Sequence, residues 1–523
     1  MSPDVLIKYE IAAFGEESPS RRPILLLGDV GVGKTTFIRH LIKVDAAALF
    51  AQTIAFYIDL GSQATLAEDV RVFVLDELER QLREDYQVDI QERNFVRGVY
   101  NLELERFGRS IYADLCETNP DSFREKEISF LEEKLRNREQ HLKTSLHHIA
   151  RGRKKQIVFF LDNADQRDDE TQQTTFLISQ EMAEHWPVMV FVTLRPETFN
   201  RSLKSGALSG YHPKAFTISP PRLDRVIVKR LQFAIKLCRG EIPINALSEH
   251  TTIELKKLER LLQIFIDSLH RNETLIEFLD NISGGNVRLA LDLVKGFFGS
   301  GHVNTQKILS IYEEEGGYVV PLHEFLRAVI FGDGEYYDPD RSPLVNLFDV
   351  SRVDSKEHFL LPLLIGLLVS LSGTGTEAGF VDTAKVYERL QGLGFTPEQI
   401  DAAIQRGHEG KLIETAARQI PQPSQAMPPA LRATNVGIYH VRRLCCLFTY
   451  IDAMIVDTPV LDPDTRSRIR DARNIEDRLK MGEIFRQYLD ARWLELKDAG
   501  TEFSWERVSQ EVKDDIIFIR SRV

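Results

Sequence analysis

The chain has 523 residues, of which 43% are hydrophobic and 28% charged, a balance typical of globular rather than disordered proteins. A chain of this length exceeds what one hydrophobic core usually organises, so we expect about three domains. The formal net charge of −12 argues against nonspecific coating of nucleic acid, which needs a surplus of lysine and arginine. A local basic face remains compatible with this charge.

Cysteine content and apolar runs narrow the class of protein further. No C-x-x-C spacing occurs, so neither a disulfide framework nor a zinc site is indicated for Cys116, Cys238, Cys445 and Cys446. The longest apolar run, residues 359–371, is interrupted by Pro362 and Gly366 and is shorter than the roughly 20 residues of a membrane span. Since no signal peptide is recognisable, we predict a cytoplasmic protein without membrane contact.

The first stretch with a chemical signature is residues 28–36, which follow the apolar run 23–27 and precede the helical run 37–43. The spacing G-x-x-x-x-G-K-T between a strand and a helix is typical of a loop that cradles phosphate with its backbone N–H groups. We therefore predict ATP binding through Gly28, Gly31, Val32, Gly33, Lys34, Thr35 and Thr36. Lys34 is expected to contact the outer phosphates, and the Thr35 hydroxyl to bind the magnesium ion that accompanies the nucleotide.

The segments around this loop extend an α/β pattern. Residues 5–14 form an apolar segment that we expect to pack beside the loop, and residues 53–60 have the β-branched and aromatic content of a second strand. Residues 66–152 are predicted to form a long helical insertion, because apolar residues recur there at helical spacing between charges. His147 and His148 lack an acid or cysteine at ligand spacing, so we interpret both as exposed helix residues.

Residues 157–162 predict a buried parallel strand, because five apolar residues run directly into Asp162. Asp162 is expected to hold magnesium, directly or through water. The next residue, where many ATPases carry the glutamate that activates water, is Asn163, and an amide accepts no proton at neutral pH. Asp165 is the next carboxylate and the candidate base. We therefore expect slow or conditional hydrolysis, which suits a switch better than a motor.

Residues 187–193 predict a further buried strand that ends in a polar residue. Thr193 is placed to hold the attacking water or a γ-phosphate oxygen, and Arg195 follows two positions later. At a strand tip Arg195 is a candidate bidentate partner of the γ-phosphate, whereas as a surface residue it would carry no role. Residues 215–219 predict one more strand of the same sheet.

The region 223–318 is predicted to be helical throughout, with one distinctive motif at residues 283–288. Two glycines there precede an amphipathic helix, so that Arg288 lies in a first helical turn. A small helical lid would bring this cation onto nucleotide held by the neighbouring domain. The alternative is an arginine on a solvated helix.

The pattern changes again after residue 318. Three helices at 359–371, 381–393 and 396–407, strands at 411–416 and 431–434, and a long helix at 437–456 predict a winged-helix domain. Its candidate recognition helix carries Glu398 and Asp401 against a single cation, Arg406, whereas contacts to DNA want Arg, Lys or Asn. We therefore favour a protein-facing spacer over DNA contact. The tail, 462–523, is helical with an apolar stripe, and intrachain packing is favoured over oligomerisation.

Four segments in this order resemble the ATPase core of the AAA+ and STAND superfamilies of P-loop ATPases. They are residues 28–35, 159–165, 190–195 and 284–288. The resemblance covers about residues 1–318. It implies an α/β fold with a parallel P-loop NTPase sheet flanked by helices, followed here by a helical lid, a winged-helix domain and a helical tail.

Individual motifs resemble different branches of these superfamilies. The Gly-Gly-Asn-Val-Arg sequence that ends at Arg288 is similar to the lid motif of origin-recognition-type initiators, whereas the strand end 193–195 is closer to STAND proteins. The spacing of Asp162 and Asp165 is similar to the double acid of NACHT and KAP ATPases. Asn163 departs from the family pattern, so a catalytic glutamate is not carried over.

Together these inferences predict four domains and two alternative functions. The predicted boundaries are 1–222 for the ATPase core, 223–318 for the lid, 319–456 for the winged helix and 457–523 for the tail. The favoured function is a magnesium-dependent ATPase switch of STAND or AAA+ type that assembles or signals to a separate protein partner, in prokaryotic defence or regulation. The alternative is a DNA-acting AAA+ ATPase similar to initiators or transposition helpers. For an arginine acting across subunits, Arg167, Arg201 and Arg222 remain open.

Overall fold

The structure is a computed structural model that describes residues 22–62, 69–196, 198–199, 214–242, 249–374, 379–415, 428–469, 472, 474–496 and 501–523. The chain divides into two compact units, residues 1–220 and 221–523. The predicted apolar segment 5–14 lies outside the described residues. The four-domain division remains a prediction, since the two units do not resolve it.

The first unit is an α/β domain with five described strands. They are β1 (Ile24–Leu27), β2 (Thr53–Asp59), β3 (Gln156–Asp162), β4 (Met189–Leu194) and β5 (Lys214–Thr217). The helices are α1 (Lys34–His40), α2 (Ala47–Phe50), α3 (Val70–Glu84), α4 (Arg93–Val99), α5 (Asn101–Gly108), α6 (Ala113–Thr118), α7 (Pro120–Arg136), α8 (Arg138–Arg153) and α9 (Asp169–His185). A π-helical turn, Leu41–Asp45, prolongs α1.

All pairings in this five-stranded sheet are parallel, in the order β2-β3-β4-β1-β5. Strands β1, β3 and β4 are almost entirely buried, as expected for parallel strands covered on both faces. The carboxyl ends of parallel strands share one edge, where ligands of such sheets bind. Because β4 lies between β1 and β3, the tip of β4 separates the loop after β1 from the tip of β3.

Residues of β1 alternate between the two faces of the sheet, as the twofold period of a strand requires. Ile24 and Leu26 pack with Ile38 of α1, whereas Leu25 and Leu27 pack on the opposite side with residues of α3 and α9. Burial on both faces fixes the position of β1. It thereby fixes where the loop that follows begins.

The helices between β2 and β3 differ in how they attach to the sheet. Helices α3 and α8 contribute buried apolar residues to the core on one face of the sheet. The fully described helices α5, α6 and α7 contain no buried residue. They are instead held by an aromatic cluster in which Phe107 stacks on Tyr112 and Phe130 and also contacts Phe123.

The second unit is mainly helical. Its helices are α10 (Leu223–Cys238), α11 (Glu249–Arg271), α12 (Glu273–Ser283), α13 (Val287–Gly299), α14 (Thr305–Glu315), α15 (Leu322–Phe331), α16 (Leu360–Leu371), α17 (Thr383–Gly392), α18 (Pro397–Glu409), α19 (Asn435–Arg442), α20 (Phe448–Met454), α21 (Pro463–Arg468), α22 (Ile475–Trp493) and α23 (Trp505–Arg520). Its described strands are β6 (Val381–Asp382), β7 (Ile413–Thr415) and β8 (Ala430–Ala433). The chain thus combines a parallel P-loop NTPase sheet with a helical C-terminal region.

The three short strands form an antiparallel sheet in the order β6-β8-β7. Strand β6 corrects the prediction of a helix beginning at residue 381. The helix begins instead at Thr383, because the Asp382 carboxylate accepts a hydrogen bond from Ala384 N and caps it. In chain order the elements are helix α16, strand β6, helices α17 and α18, and strands β7 and β8.

The prediction of one long helix over residues 437–456 was wrong. Helix α19 ends at Arg442, a 3-10 turn spans Leu444–Cys446, and α20 begins at Phe448. A residue far along the chain stabilises this break, because Asp515 of α23 accepts a hydrogen bond of 2.8 Å from Phe448 N. The apolar stripe of the tail packs inside the unit, where Leu479 and Leu489 are fully buried. Among the described residues, no helix combines the length and apolar character needed to cross a bilayer.

Candidate functional site

The loop between β1 and α1 is held closely around the side chain of Lys34. Its ammonium donates hydrogen bonds to Gly28 O at 2.6 Å and to Asp29 O at 3.2 Å, and only 7% of the residue is exposed. Gly31 and Gly33 adopt φ values of 81° and 96°, which favour glycine. The first turn of α1 itself contains no acidic residue.

Three side-chain hydroxyls meet at the carboxylate of Asp162, which is completely buried at the tip of β3. Thr35 donates to its Oδ2 at 2.6 Å, Thr193 donates to its Oδ1 at 2.8 Å, and Tyr57 donates to its Oδ2 at 2.6 Å. Hydrogen bonds of this kind offset the cost of burying a carboxylate. The structure thus joins the loop after β1 and the tips of β2, β3 and β4 through one residue.

Tyr57 is a member of this cluster that the sequence did not suggest. Burial and the neighbouring Asp162 raise the pKa of the Tyr57 phenol, so that it remains a hydrogen-bond donor at neutral pH. The guanidinium of Arg39 lies over its ring at 5.6 Å from the centroid. The only signal in the sequence was a polar aromatic residue within an apolar strand.

A second pair of polar groups lies beside Asp162. Asn163 has a left-handed backbone with φ of 61°, and its amide Nδ2 donates to Asp59 Oδ1 at 2.7 Å. Asp59 is the register partner of Asp162 in the β2–β3 pairing, and it also accepts from Gly61 N at 2.9 Å. Asn163 N donates to Thr193 Oγ1 at 3.0 Å. Asn163 has only an amide at the position where many ATPases carry a glutamate. The carboxylate in contact with that amide is Asp59.

The oxygens of Thr35 and Asp162 suit a magnesium ion that is shared with phosphate. Hydroxyl and carboxylate oxygens are hard ligands, and magnesium is commonly held by one or two such groups together with phosphate oxygens and water. Within the described residues no cluster of three or more His, Cys, Asp or Glu side chains could hold a metal by itself. The residues present therefore fit a metal that arrives with a nucleotide.

The other predicted site residues belong to several different elements. Arg195 directly follows β4 and is half-buried, and Arg288 is exposed in the first turn of α13, in the second unit. Thr36 is exposed in α1, and Val32 is buried. The side chain of Asp165, which belongs to a 3-10 turn after β3, lies outside the described residues.

The arginines considered for action across subunits have different surroundings. Arg167 donates from Nε to Leu60 O at 2.7 Å, within the first unit. Arg222 pairs with Asp224 at 2.9 Å at the beginning of α10, in the second unit. Arg201 lies outside the described residues. The choice among them remains open.

Comparison with protein families gives one match, in which residues 11–191 match the AAA ATPase domain. A comparison with curated proteins gives no significant sequence match. Solved structures that resemble the chain include the ORC2 protein of Aeropyrum pernix in its ADP form, with 12% identity, a TM-score of 0.39, and coverage of 82% of this chain and 88% of that chain. Cdc6p of Pyrobaculum aerophilum has 14% identity, a TM-score of 0.31, and coverage of 83% and 88%.

The Drosophila ORC bound to DNA has 13% identity, a TM-score of 0.30, and coverage of 82% of this chain and 90% of that chain. Similarities at such scores do not by themselves establish a function.

Proposed function

We propose that this chain, in which residues 11–191 match the AAA ATPase domain and which contains a P-loop ATPase of AAA+ type, is a slow ATP-driven molecular switch. The observation that supports this most directly is the set of hydroxyls from Thr35, Thr193 and Tyr57 on the single carboxylate of Asp162. A cation bound at Oδ2 of that carboxylate would compete with the hydrogen bonds from Thr35 and Tyr57, and one bound at Oδ1 with the hydrogen bond from Thr193. Loading and loss of nucleotide would therefore be transmitted to several strand tips together.

In the proposed bound state, the backbone N–H groups of residues 28–33 and the N-terminus of α1 surround the phosphates. Lys34 exchanges its bonds to the loop carbonyls for phosphate oxygens. Thr35 and Asp162 hold magnesium, which neutralises phosphate charge. Thr193 then orients the attacking water or a γ-phosphate oxygen.

Slow hydrolysis in this proposal follows from the absence of a carboxylate at residue 163. Two carboxylates are candidates for the base, namely Asp165 from the sequence and Asp59 from its contact with Asn163. Substitution of the true base by asparagine should slow single-turnover hydrolysis at least tenfold while nucleotide affinity is retained. A comparison of Asp59→Asn with Asp165→Asn decides between the two, and equal rates in both variants and wild type would exclude both.

We further propose that Arg195 and Arg288 contact the γ-phosphate and distinguish ATP from ADP. A ligand changes a conformational equilibrium only by its difference in affinity for the two states, and a few kcal/mol is sufficient. Closure of the second unit through Arg288 would give ATP such a difference. This part of the proposal is supported by the exposure of Arg288 in the first turn of α13.

The region around β6, β7 and β8 is proposed to be a winged helix that contacts protein rather than DNA. Its helix α18 exposes the acidic residues Glu398, Asp401 and Glu409. Its one arginine, Arg406, donates to Asp349 at 2.8 Å and is thus committed within the unit. Phosphate would be repelled by this face. We therefore favour a protein effector or a second copy of the chain as the partner, in the manner of STAND or AAA+ switches.

The function is tested by measuring nucleotide binding and the conformational response together. Calorimetry with ATP and ADP, each with magnesium, gives the affinities, and limited proteolysis in each nucleotide reports the conformation. We expect tighter binding of ATP and a different cleavage pattern. Binding of ATP with an unchanged cleavage pattern would contradict the switch and leave an ordinary ATPase.

A further inference from the structure

A cavity of about 480 Å³ lies entirely within the second unit, bordered by α15, the beginning of α20, α22 and α23. This volume lies within the range of small-molecule sites, which is roughly 300–1,000 Å³. Its apolar walls are formed by Leu322, Leu447, Phe448, Ile475, Phe518 and Ile519. None of the predicted functions of the chain uses this cavity.

Positive charge predominates on the polar part of the cavity wall. Arg327, Arg478 and Arg522 line it, against one carboxylate, Asp515, and one imidazole, His323. Arg522 lies over the ring of Phe518 at 4.4 Å from the centroid. Apolar walls with a few converging charged groups are the usual composition of a ligand site.

Three acids lie near the arginines, and each already has a partner; Glu324 accepts a hydrogen bond from the Tyr318 hydroxyl at 2.8 Å. Asp452 accepts from Arg478 Nε through both of its oxygens, at 3.1 and 3.0 Å. Asp515 accepts from Phe448 N at 2.8 Å and caps α20. Asp452 therefore stabilises Arg478, and Asp515 stabilises the N-terminus of α20. Among the described residues, none of these acids forms an ion pair with Arg327.

Arg327 lines the cavity and forms no ion pair among the described residues. Its Nε is buried and has no hydrogen-bond partner among the described residues. Burial, followed by the nearby charge of Arg478, lowers the pKa of its guanidinium. Arg327 and Arg478 carry like charges on the same cavity wall, and an anion placed beside them would reduce their repulsion.

We propose that this cavity binds a small anion with an aromatic body, a carboxylate or phosphate ester, independently of the nucleotide. The anionic group lies against the guanidinium of Arg327, beside Arg478, whose Nε and Nη2 are held by Asp452. The aromatic body lies between Phe448, Phe518 and the aliphatic walls. Such a ligand would couple α15 to α22 and α23 by bridging residues of separate helices.

The test uses the full-length protein and a pair of probes that differ in charge alone. Binding of 2-naphthoate and of its neutral analogue 2-naphthamide is measured by ligand-observed NMR and calorimetry. We expect saturable binding of the carboxylate, with the amide at least tenfold weaker. Arg327→Gln should weaken 2-naphthoate by about tenfold to a hundredfold, the usual effect of losing a charge-assisted hydrogen bond.

Matched variants separate this site from other effects. Arg389→Gln removes an exposed arginine of α17 and should leave 2-naphthoate affinity unchanged. Lys34→Ala should likewise leave it unchanged, so failure of the nucleotide site and failure of this proposal are distinguishable. If Arg327→Gln does not fold by circular dichroism, the exposed Arg522→Gln serves instead, with an expected loss of several-fold. Absence of saturable binding, equal affinity for the amide, or full affinity in the arginine variants would overturn the proposal.

Discussion

Asp162 shows how much of a site can depend on one residue. Its carboxylate has no exposed surface, and it receives hydrogen bonds from Thr35, Thr193 and Tyr57. A carboxylate acts only as an acceptor, so each donor competes with any cation that arrives. A cation bound at this carboxylate would therefore rearrange the donors rather than add to an unchanged site.

Lys34→Ala should abolish measurable ATP binding or weaken it on the order of a hundredfold. The variant loses a charge-assisted bond to phosphate and also the contacts to Gly28 O and Asp29 O that shape the loop. Isothermal titration calorimetry measures the effect. Lys43→Ala, at an exposed lysine after the same helix, is the control and should bind as wild type. Unchanged ATP affinity and hydrolysis in Lys34→Ala would refute nucleotide binding by this loop.

Arg195→Ala should reduce the preference for ATP over ADP by about tenfold. An arginine that contacts only the γ-phosphate contributes to ATP affinity and not to ADP affinity. Calorimetric dissociation constants for both nucleotides give the ratio. The same ratio in wild type and variant would reject the γ-phosphate role of Arg195.

Helices and strands were predicted correctly from the sequence where the residues of the element itself carry the pattern that identifies it. Strands β1, β3 and β4 consist mainly of consecutive apolar residues, and each was predicted within two residues of its observed bounds. The break between α19 and α20 was missed because the acid that stabilises it, Asp515, is 67 residues away. The two residues of β6 are too few to show the alternation of apolar and polar side chains that identifies a strand in a sequence.

The same reasoning explains which parts of the site were found. Lys34, Thr35, Asp162 and Thr193 belong to local motifs, and the structure brings them together. Tyr57 and Asp59 were missed, because β2 becomes a neighbour of β3 only through pairing across the helical insertion. Arg288 could be predicted as a helix-start arginine, but its role depends on the second unit.

Two glycines within helices should respond oppositely to substitution by alanine. A Cβ on Gly366 of α16 would lie 2.7 Å from Phe503 N, whereas a Cβ on Gly296 of α13 would meet nothing within 4 Å. We expect Gly366→Ala to destabilise the second unit by about 1–3 kcal/mol through overpacking. Gly296→Ala should instead stabilise it by about 0.5–1 kcal/mol.

Urea unfolding followed by tryptophan fluorescence measures both changes, since Trp493 and Trp505 lie in the second unit. Equal stability of the two variants would contradict the close packing of α16 against residue 503.

For the whole molecule, the net charge of −12 and the acidic exposed face of α18 act in the same direction. Both oppose contact with a polyanion. We therefore expect gel-shift titrations with duplex DNA to show weak binding and little dependence on salt. A steep loss of strong binding as ionic strength rises would instead indicate real phosphate contacts and would favour the DNA-acting alternative.

The stability of the protein should fall between about pH 6.5 and pH 4. Burial lowers the pKa of His440 from 6.5 to about 4, and Val436 O accepts a hydrogen bond from its neutral ring. Below pH 6.5 the unfolded chain therefore binds a proton at His440, whereas the folded chain binds it only near pH 4. The free energy of unfolding that is present above pH 6.5 is consequently lost as the pH falls. The full effect is about 3 kcal/mol.

Urea unfolding at a series of pH values measures this slope. His440→Gln should flatten it, while His270→Gln, at an exposed position, should not. Burial also lowers the pKa of His358, so part of the slope should persist in His440→Gln. An identical slope in wild type and His440→Gln would contradict the assignment.

The pairing of Asn163 with Asp59 across two neighbouring strands bears on how this ATPase could diversify. The double substitution Asp59→Asn with Asn163→Asp would keep one amide and one carboxylate in contact. It would place the carboxylate directly after Asp162. Either change alone would leave two amides or two repelling carboxylates face to face. A single substitution at either position therefore alters the hydrogen bonding beside Asp162, whereas the double exchange retains it.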